Sequence, residues 1–299
     1  MANILTETGR AIATHLTRLA ATAVPPAGDE KQSRLIGKGE GLDSDSHIGT
    51  ERSRYDRDGY LAVEELLGNY DIAEWNAECD RIAEPDMLAI HFPHKLSPLF
   101  HAALSHPAIV ERLTRLIGPD VKAVQSMLFV KPPGSPGQAW HQDEHFIPTR
   151  DRSLCGVWIA LDDATVENGC LWVHPGSHSD GILHRVKAHD DPRFDVSDEA
   201  VGFSEDREGG VAVELARGGA LFFHGYLLHR SLPNRAPDRP RRALVLHYVS
   251  ARSLLPWNHD GHSPTDDFRD IVLVAGNDPY AWKGTADSSR AFVRSAGTK

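Results

Sequence analysis

Three histidine–x–aspartate pairs occur in the chain: His141/Asp143, His178/Asp180 and His189/Asp191. An imidazole and a carboxylate two residues apart can share one metal ion when they lie on a strand, because residues i and i+2 point to the same face. A second histidine from elsewhere would complete a two-histidine, one-carboxylate triad. That donor set suits redox-active iron(II) and leaves coordination positions open. The settings of the three pairs differ. His178 follows a Pro-Gly-Ser turn and His189 lies in a polar stretch, whereas His141 follows an apolar run and a Pro/Gly turn, beside Trp140. His141 and Asp143 are therefore the expected ligands, with Gln142 pointing away. For the distal histidine, His229 in YLLHRSLPN is one candidate, and His224 and His247 are its rivals. The residues alone do not choose among them.

These side chains need strands to hold them. Runs rich in branched and aromatic residues cover roughly 121–131, 154–161, 169–173, 211–215, 220–231 and 241–250, with turn clusters such as KPPGSPG and LPNRAPDRP between them. Two helices are expected ahead of them. Asp71 caps the first, which carries Ile72, Trp75, Cys79 and Ile82 on one face and ends at Pro85. The second starts at Ser105 and Pro107 and ends at Gly118. Helices first and strands afterwards point to an α+β, mainly β chain, a sandwich or barrel flanked by N-terminal helices. Residues 1–52 read as an extension: an amphipathic helix over 2–23, stopped by Pro25 and Pro26, then a polar linker over 27–52. Residues 53–299 read as the folded domain. Within it, 179–210 is a long polar segment with glycines near both ends, expected to act as a mobile lid.

Bulk properties narrow the partners. The net charge of −10 disfavours nucleic acid, which would want a basic face. No apolar run approaches the roughly 20 residues of a membrane span. Cys79, Cys155 and Cys170 show no CxxC spacing and read as reduced thiols, so a reducing, cytoplasmic setting is expected. Glu7, Arg10 and Arg18 interrupt residues 2–23, which therefore read as a docking or homodimer contact rather than a secretory signal.

Five blocks, MLFVKPPG from Met127, HQDEHF from His141, NGCLWVHPGSH from Asn168, HGYLLHRSLPN from His224 and RRALVLHY from Arg241, resemble the phytanoyl-CoA dioxygenase family in order and spacing. The resemblance spans about 55–260. It implies a double-stranded β-helix, or cupin-like jelly roll, with Fe(II) as metal, 2-oxoglutarate as cosubstrate and dioxygen as oxidant. It implies His229 as the distal ligand, followed by Ser231 and Asn234, and a cosubstrate arginine at Arg241. Strand alternation favours Arg241 over Arg242, since it shares a face with Ala243, Val245 and His247. The resemblance further places Met127, Trp158 and Ser231 in the cosubstrate pocket, aligns Lys95 loosely with a cosubstrate lysine, and lets Asn234 orient the imidazole of His229. The implied reaction is hydroxylation of an aliphatic C–H bond of a small metabolite, with release of succinate and CO2. A carboxylate at position 143 favours hydroxylation over halogenation. The acidic 179–210 segment argues for a small metabolite over an acyl-CoA thioester. A non-catalytic metal-binding jelly roll is the remaining alternative.

Overall fold

The computed structural model describes residues 44–84, 87–149, 151–195, 197–203, 210–253, 271–284 and 289–295. The expected helix over 2–23 and its docking role lie outside these residues. The linker expected over 27–52 differs in its described part, because α1 (Ser44–Asp58) is already helical. The other helices are α2 (Asn69–Ile82), α3 (Pro98–Ala103) and α4 (Pro107–Leu116). Helix α2 buries Ile72, Trp75 and Cys79 as its spacing predicts, but Gly68 stands at its N-cap and Asp71 sits inside the first turn.

The strands are β1 (Tyr60–Val63), β2 (Met87–His91), β3 (Val121–Lys131), β4 (Gln138–His141), β5 (Cys155–Ala160), β6 (Leu171–Val173), β7 (Arg185–Lys187), β8 (Glu199–Val201), β9 (Val211–Val213), β10 (Ala220–His224), β11 (His229–Ser231), β12 (Arg241–Ser250), β13 (Val272–Ala275) and β14 (Phe292–Ser295). They pair antiparallel into a large sheet, β1-β10-β5-β12-β3-β2-β14, with β13 also on β3, and a small sheet, β4-β11-β6-β9. Strands β1 and β2 lie ahead of Gly118, outside the two expected helices and outside every run read as a strand. Each is only four or five residues long, too short for a clear period.

The large sheet is buried on both faces. Leu244, Leu246 and Tyr248 of β12 join Leu128, Val157 and Phe222 against Trp75, Phe100, Ile109 and Leu113 of the helices. The alternate residues Ala243 and Val245 pack with Met127, Trp158, Leu171, Val173 and Phe223, the last three drawn from the small sheet and β10. This inner layer is where the site forms.

The run expected as one strand over 220–231 is two strands on different sheets. Gly225 makes the break. Its N–H donates to Leu154 O at 2.8 Å, and an added Cβ would meet the Leu154 side chain at 2.8 Å. Only glycine fits so close an approach. His224 thus ends on the large sheet and His229 begins on the small one.

The 179–210 segment is tied to the barrel in its described part. Strands β7 and β8 form a hairpin. Gln142 donates to Ile182 O at 2.9 Å and accepts from His184 N at 2.8 Å. Gly137 exchanges backbone bonds with Arg193 and Asp195. Satisfied backbone groups of this kind oppose free opening between 182 and 195.

Candidate metal and cosubstrate site

Strand β4 ends at His141, and Gln142 keeps an extended backbone (φ −127°, ψ 127°) before a single 3-10 turn opens at Asp143. The alternation therefore survives one residue past the strand. His141 and Asp143 face inward, and the Gln142 amide reaches the neighbouring loop. Across the ladder, His229 of β11 stands opposite His141. The three side chains are almost fully buried, and one ligand atom from each lies within 4.8 Å of the others. Asp143 Oδ1 is 3.7 Å from His141 Nε2 and 3.6 Å from His229 Nε2.

The hydrogen bonds behind the rings set their chemistry. His141 Nδ1 donates to Ala139 O at 2.7 Å, and His229 Nδ1 donates to Leu227 O at 3.0 Å. Carbonyls only accept, so each Nδ1 carries the proton and each Nε2 presents a lone pair to the centre. Burial, reinforced by His229, lowers the His141 pKa to about 4, so the ring is neutral at pH 7. Burial works to raise the Asp143 carboxyl, but His229 and His247 outweigh it and hold the group below the usual carboxylate range. His247 Nε2 donates to Asp143 Oδ2 at 3.0 Å. His247 is thus a partner of the carboxylate.

The same cavity, about 710 Å³, holds Arg241 at its other end. Arg241 is 2% exposed, yet its Nε makes no hydrogen bond and no carboxylate pairs with it among the described residues. The guanidinium lies 5.2 Å over the Trp158 ring. Burial pushes its pKa down to about 10. Lys131 stands opposite it on β3, and Lys131 Nζ donates to Ser231 Oγ at 2.8 Å. Burial, then the Arg241 charge, holds the Lys131 ammonium well below the ordinary lysine range. The buried Arg241 guanidinium, the Lys131 amine and the Ser231 hydroxyl, with no ion pair to either base among the described residues, are groups that can receive a carboxylate. Two neutral imidazole nitrogens and one carboxylate oxygen fit a divalent metal ion such as iron(II), and the basic groups of the same cavity fit a dicarboxylate cosubstrate.

Met127, Trp158 and Ser231 also line the cavity. Arg242 turns outward to Asp162 and Asp80, at 2.7 and 2.9 Å. His224 packs beside His178 and Tyr55, away from the cavity, and Lys95 does not line it. Asn234 does not touch His229. Its amide donates to Lys131 O and Arg239 O, both at 2.9 Å, and so braces the loop ahead of β12. Sequence reasoning missed Lys131 as a site residue. Its place on the inward face with Met127 and Phe129, two residues apart each, was the available signal.

A family profile described as phytanoyl-CoA dioxygenase (PhyH) matches residues 55–243. A Danio rerio phytanoyl-CoA dioxygenase domain-containing protein 1 is 35% identical over 174 residues, covering 56% of this chain and 58% of the relative. An Arabidopsis thaliana phytanoyl-CoA dioxygenase is 33% identical over 178 residues, covering 57% and 61%. The chain thus covers less than two thirds of the length of either relative. Among solved structures, the epimerase SnoN in complex with Fe3+, alpha ketoglutarate and nogalamycin RO has a TM-score of 0.63 at 22% identity, covering 79% of this chain and 98% of that one. EvdO2 from Micromonospora carbonacea, complexed with 2-oxoglutarate, has a TM-score of 0.57 at 23% identity, covering 84% and 99%. These likenesses establish the jelly-roll fold.

Proposed function

The chain belongs to the phytanoyl-CoA dioxygenase family, a family of iron(II)- and 2-oxoglutarate-dependent oxygenases, and we propose that it hydroxylates an aliphatic C–H bond of a small organic metabolite. The observation that carries this reading is one cavity lined both by the His141, Asp143 and His229 cluster and by a buried Arg241 that no carboxylate pairs among the described residues. His141, Asp143 and His229 would hold iron(II), which with 2-oxoglutarate and dioxygen would supply the oxidising power at the cost of converting 2-oxoglutarate to succinate and CO2.

The chain's own residues then have separable tasks. Arg241 and Lys131 grip the distal carboxylate of the cosubstrate, and Ser231 adds a hydroxyl to that end. Trp158 and Met127 shape the channel between. Ala139 O and Leu227 O keep the Nε2 lone pairs of His141 and His229 aimed at the metal. The buried inner faces of both sheets exclude water from the reacting centre. A second outcome of the same chemistry, ring closure or epimerisation, has support from neighbours described as a carbocyclase and an epimerase.

The test is succinate formation by the full chain with iron(II), ascorbate, 2-oxoglutarate and air. It should require each of these and vanish in His141→Ala, Asp143→Ala and His229→Ala. Succinate formed equally by His229→Ala, or without iron, would refute the reading.

A further inference from the structure

The register of the large sheet sets side chains in rows across it. One row runs Phe292, His91, Met127, Val245 and Trp158, each the Cα partner of the next. Partners across a ladder point to the same face, so all five look into the cavity, and all five line it. The next row begins with Arg294, opposite Ala89, which in turn faces Phe129. Phe292 and Arg294 belong to β14, which lies beyond the residues 55–243 that the family profile matches. Strand β14 therefore builds one wall of the cavity with residues the family pattern does not specify.

That wall has a definite chemistry. Phe292 stacks on His91 with ring centroids 4.2 Å apart and planes 9° from parallel. Phe292 is 51% exposed, and Phe146, another cavity residue, is 40% exposed, so both leave aromatic surface open to a ligand. Arg294 lies over the Phe129 ring at 5.8 Å. It pairs with Asp195 at 3.1 Å, while its Nε makes no hydrogen bond. Asp195 Oδ1 is already engaged by Ser197 N–H. The cavity lining thus carries three basic side chains, Arg241, Lys131 and Arg294, and no carboxylate outside the metal cluster among the described residues; Asp195, the partner of Arg294, is not part of that lining. Arg241 and Lys131 serve the cosubstrate carboxylate, whereas Arg294 keeps an Nε with no hydrogen bond and an Asp195 partner that is itself shared with Ser197, so an anionic group on the second ligand would gain a charge-assisted contact there.

We propose that β14 selects the substrate, and that the substrate is a planar aromatic carboxylic acid, its ring on Phe292 and its carboxylate on Arg294. The proposal rests on the oxygenase reading above. Its test uses binding, without turnover, to the full chain loaded with iron(II) and 2-oxoglutarate under nitrogen. The probes are 3-phenylpropanoate, indole-3-acetate and 2-naphthoate, with their primary amides and hexanoate as controls, read by calorimetry. At least one aromatic acid should bind about ten-fold more tightly than its amide and than hexanoate. Arg294→Gln should remove the preference for acid over amide, and Phe292→Ala the preference for the ring. Asp195→Asn should tighten the acid, because it frees the guanidinium. Each variant should bind 2-oxoglutarate within about two-fold of the parent. The proposal is overturned if 2-oxoglutarate binds but no acid is preferred, or if Asp195→Asn weakens the acid as Arg294→Gln does, which would make the pair a clasp only. It is overturned too if Arg294→Gln costs about ten-fold in 2-oxoglutarate affinity, which would place Arg294 at the cosubstrate end. Failure of the iron-loaded parent to bind 2-oxoglutarate at all would refute the oxygenase reading itself, and this inference with it.

Discussion

His247 Nε2 lies 3.0 Å from Asp143 Oδ2, while the other oxygen of that carboxylate faces the Nε2 atoms of both clustered histidines. One carboxylate is thus divided between two tasks. Oδ2 is occupied by a donor, which leaves Oδ1 as the atom free to ligate. An acceptor-only carboxylate opposite Nε2 also puts the His247 proton on that nitrogen.

This division predicts the effect of His247→Ala. Metal-orienting partners of this kind are worth roughly 10- to 100-fold in affinity. Cobalt(II) titration of the variant should show a loss of that order, whereas His224→Asn should titrate like the parent. Equal affinities for His247→Ala and the parent would mean that Asp143 needs no brace.

The two arginines at the head of β12 should separate cleanly. Arg241→Ala removes a charge-assisted contact inside the cavity and should cost about 1.5–3 kcal/mol in 2-oxoglutarate binding. Lys131→Met should weaken it as well. Arg242 is engaged by Asp162 and Asp80 outside the cavity, so Arg242→Ala should leave 2-oxoglutarate affinity unchanged. Calorimetric titration of the metal-loaded variants decides this, and a reversed order would show the register of β12 to be wrong.

Behind the metal cluster, Arg230 lies 4.5 Å from the Trp140 ring centroid and 5.8 Å from that of Trp172. Its neighbour in sequence is His229, and Trp140 precedes His141, so the stack joins β4, β11 and β6 from outside. Desolvated cation–π contacts reach about 2 kcal/mol. Arg230→Gln should lower the unfolding free energy of the metal-free chain by about 1–2 kcal/mol, and Arg230→Lys by less. Urea unfolding of the three proteins gives the comparison. Identical midpoints would show that the stack is incidental.

His224 should make the fold acid-sensitive. Burial, then the nearby His178 and Arg152 charges, lowers its pKa to about 4, against about 6.5 when unfolded. Tyr226 N–H donates to its Nδ1 at 3.0 Å, so protonation there breaks a bond. The unfolded chain binds this proton more readily, so the stability is fully present above about pH 6.5 and is lost as pH falls toward 4. The loss is on the order of 2–4 kcal/mol. His224→Asn keeps an acceptor and cannot titrate, so its stability should fall less between pH 7 and pH 4. Parallel curves for parent and variant would sink this assignment.

Much of the site was legible along the chain. The period-two pattern of RRALVLHY sends Arg241 inward and Arg242 outward, because strand geometry fixes side-chain direction within two residues. The metal-type pair at His141 and Asp143 is legible for the same reason, and Gln142 carries the alternation across the end of β4. The choice of His229 over His224 is different in kind. Both lie in one apolar run, and only the turn at Gly225, set by close approach to Leu154, sends the second half to the other sheet. His247 on Asp143, Lys131 beside Arg241, and β14 beside β2 likewise join residues about 100 to more than 200 positions apart. Periodicity is a local property and reports which way a side chain points. Which side chains then meet depends on sheet order and register, and those are set by long-range packing that no short stretch of sequence contains.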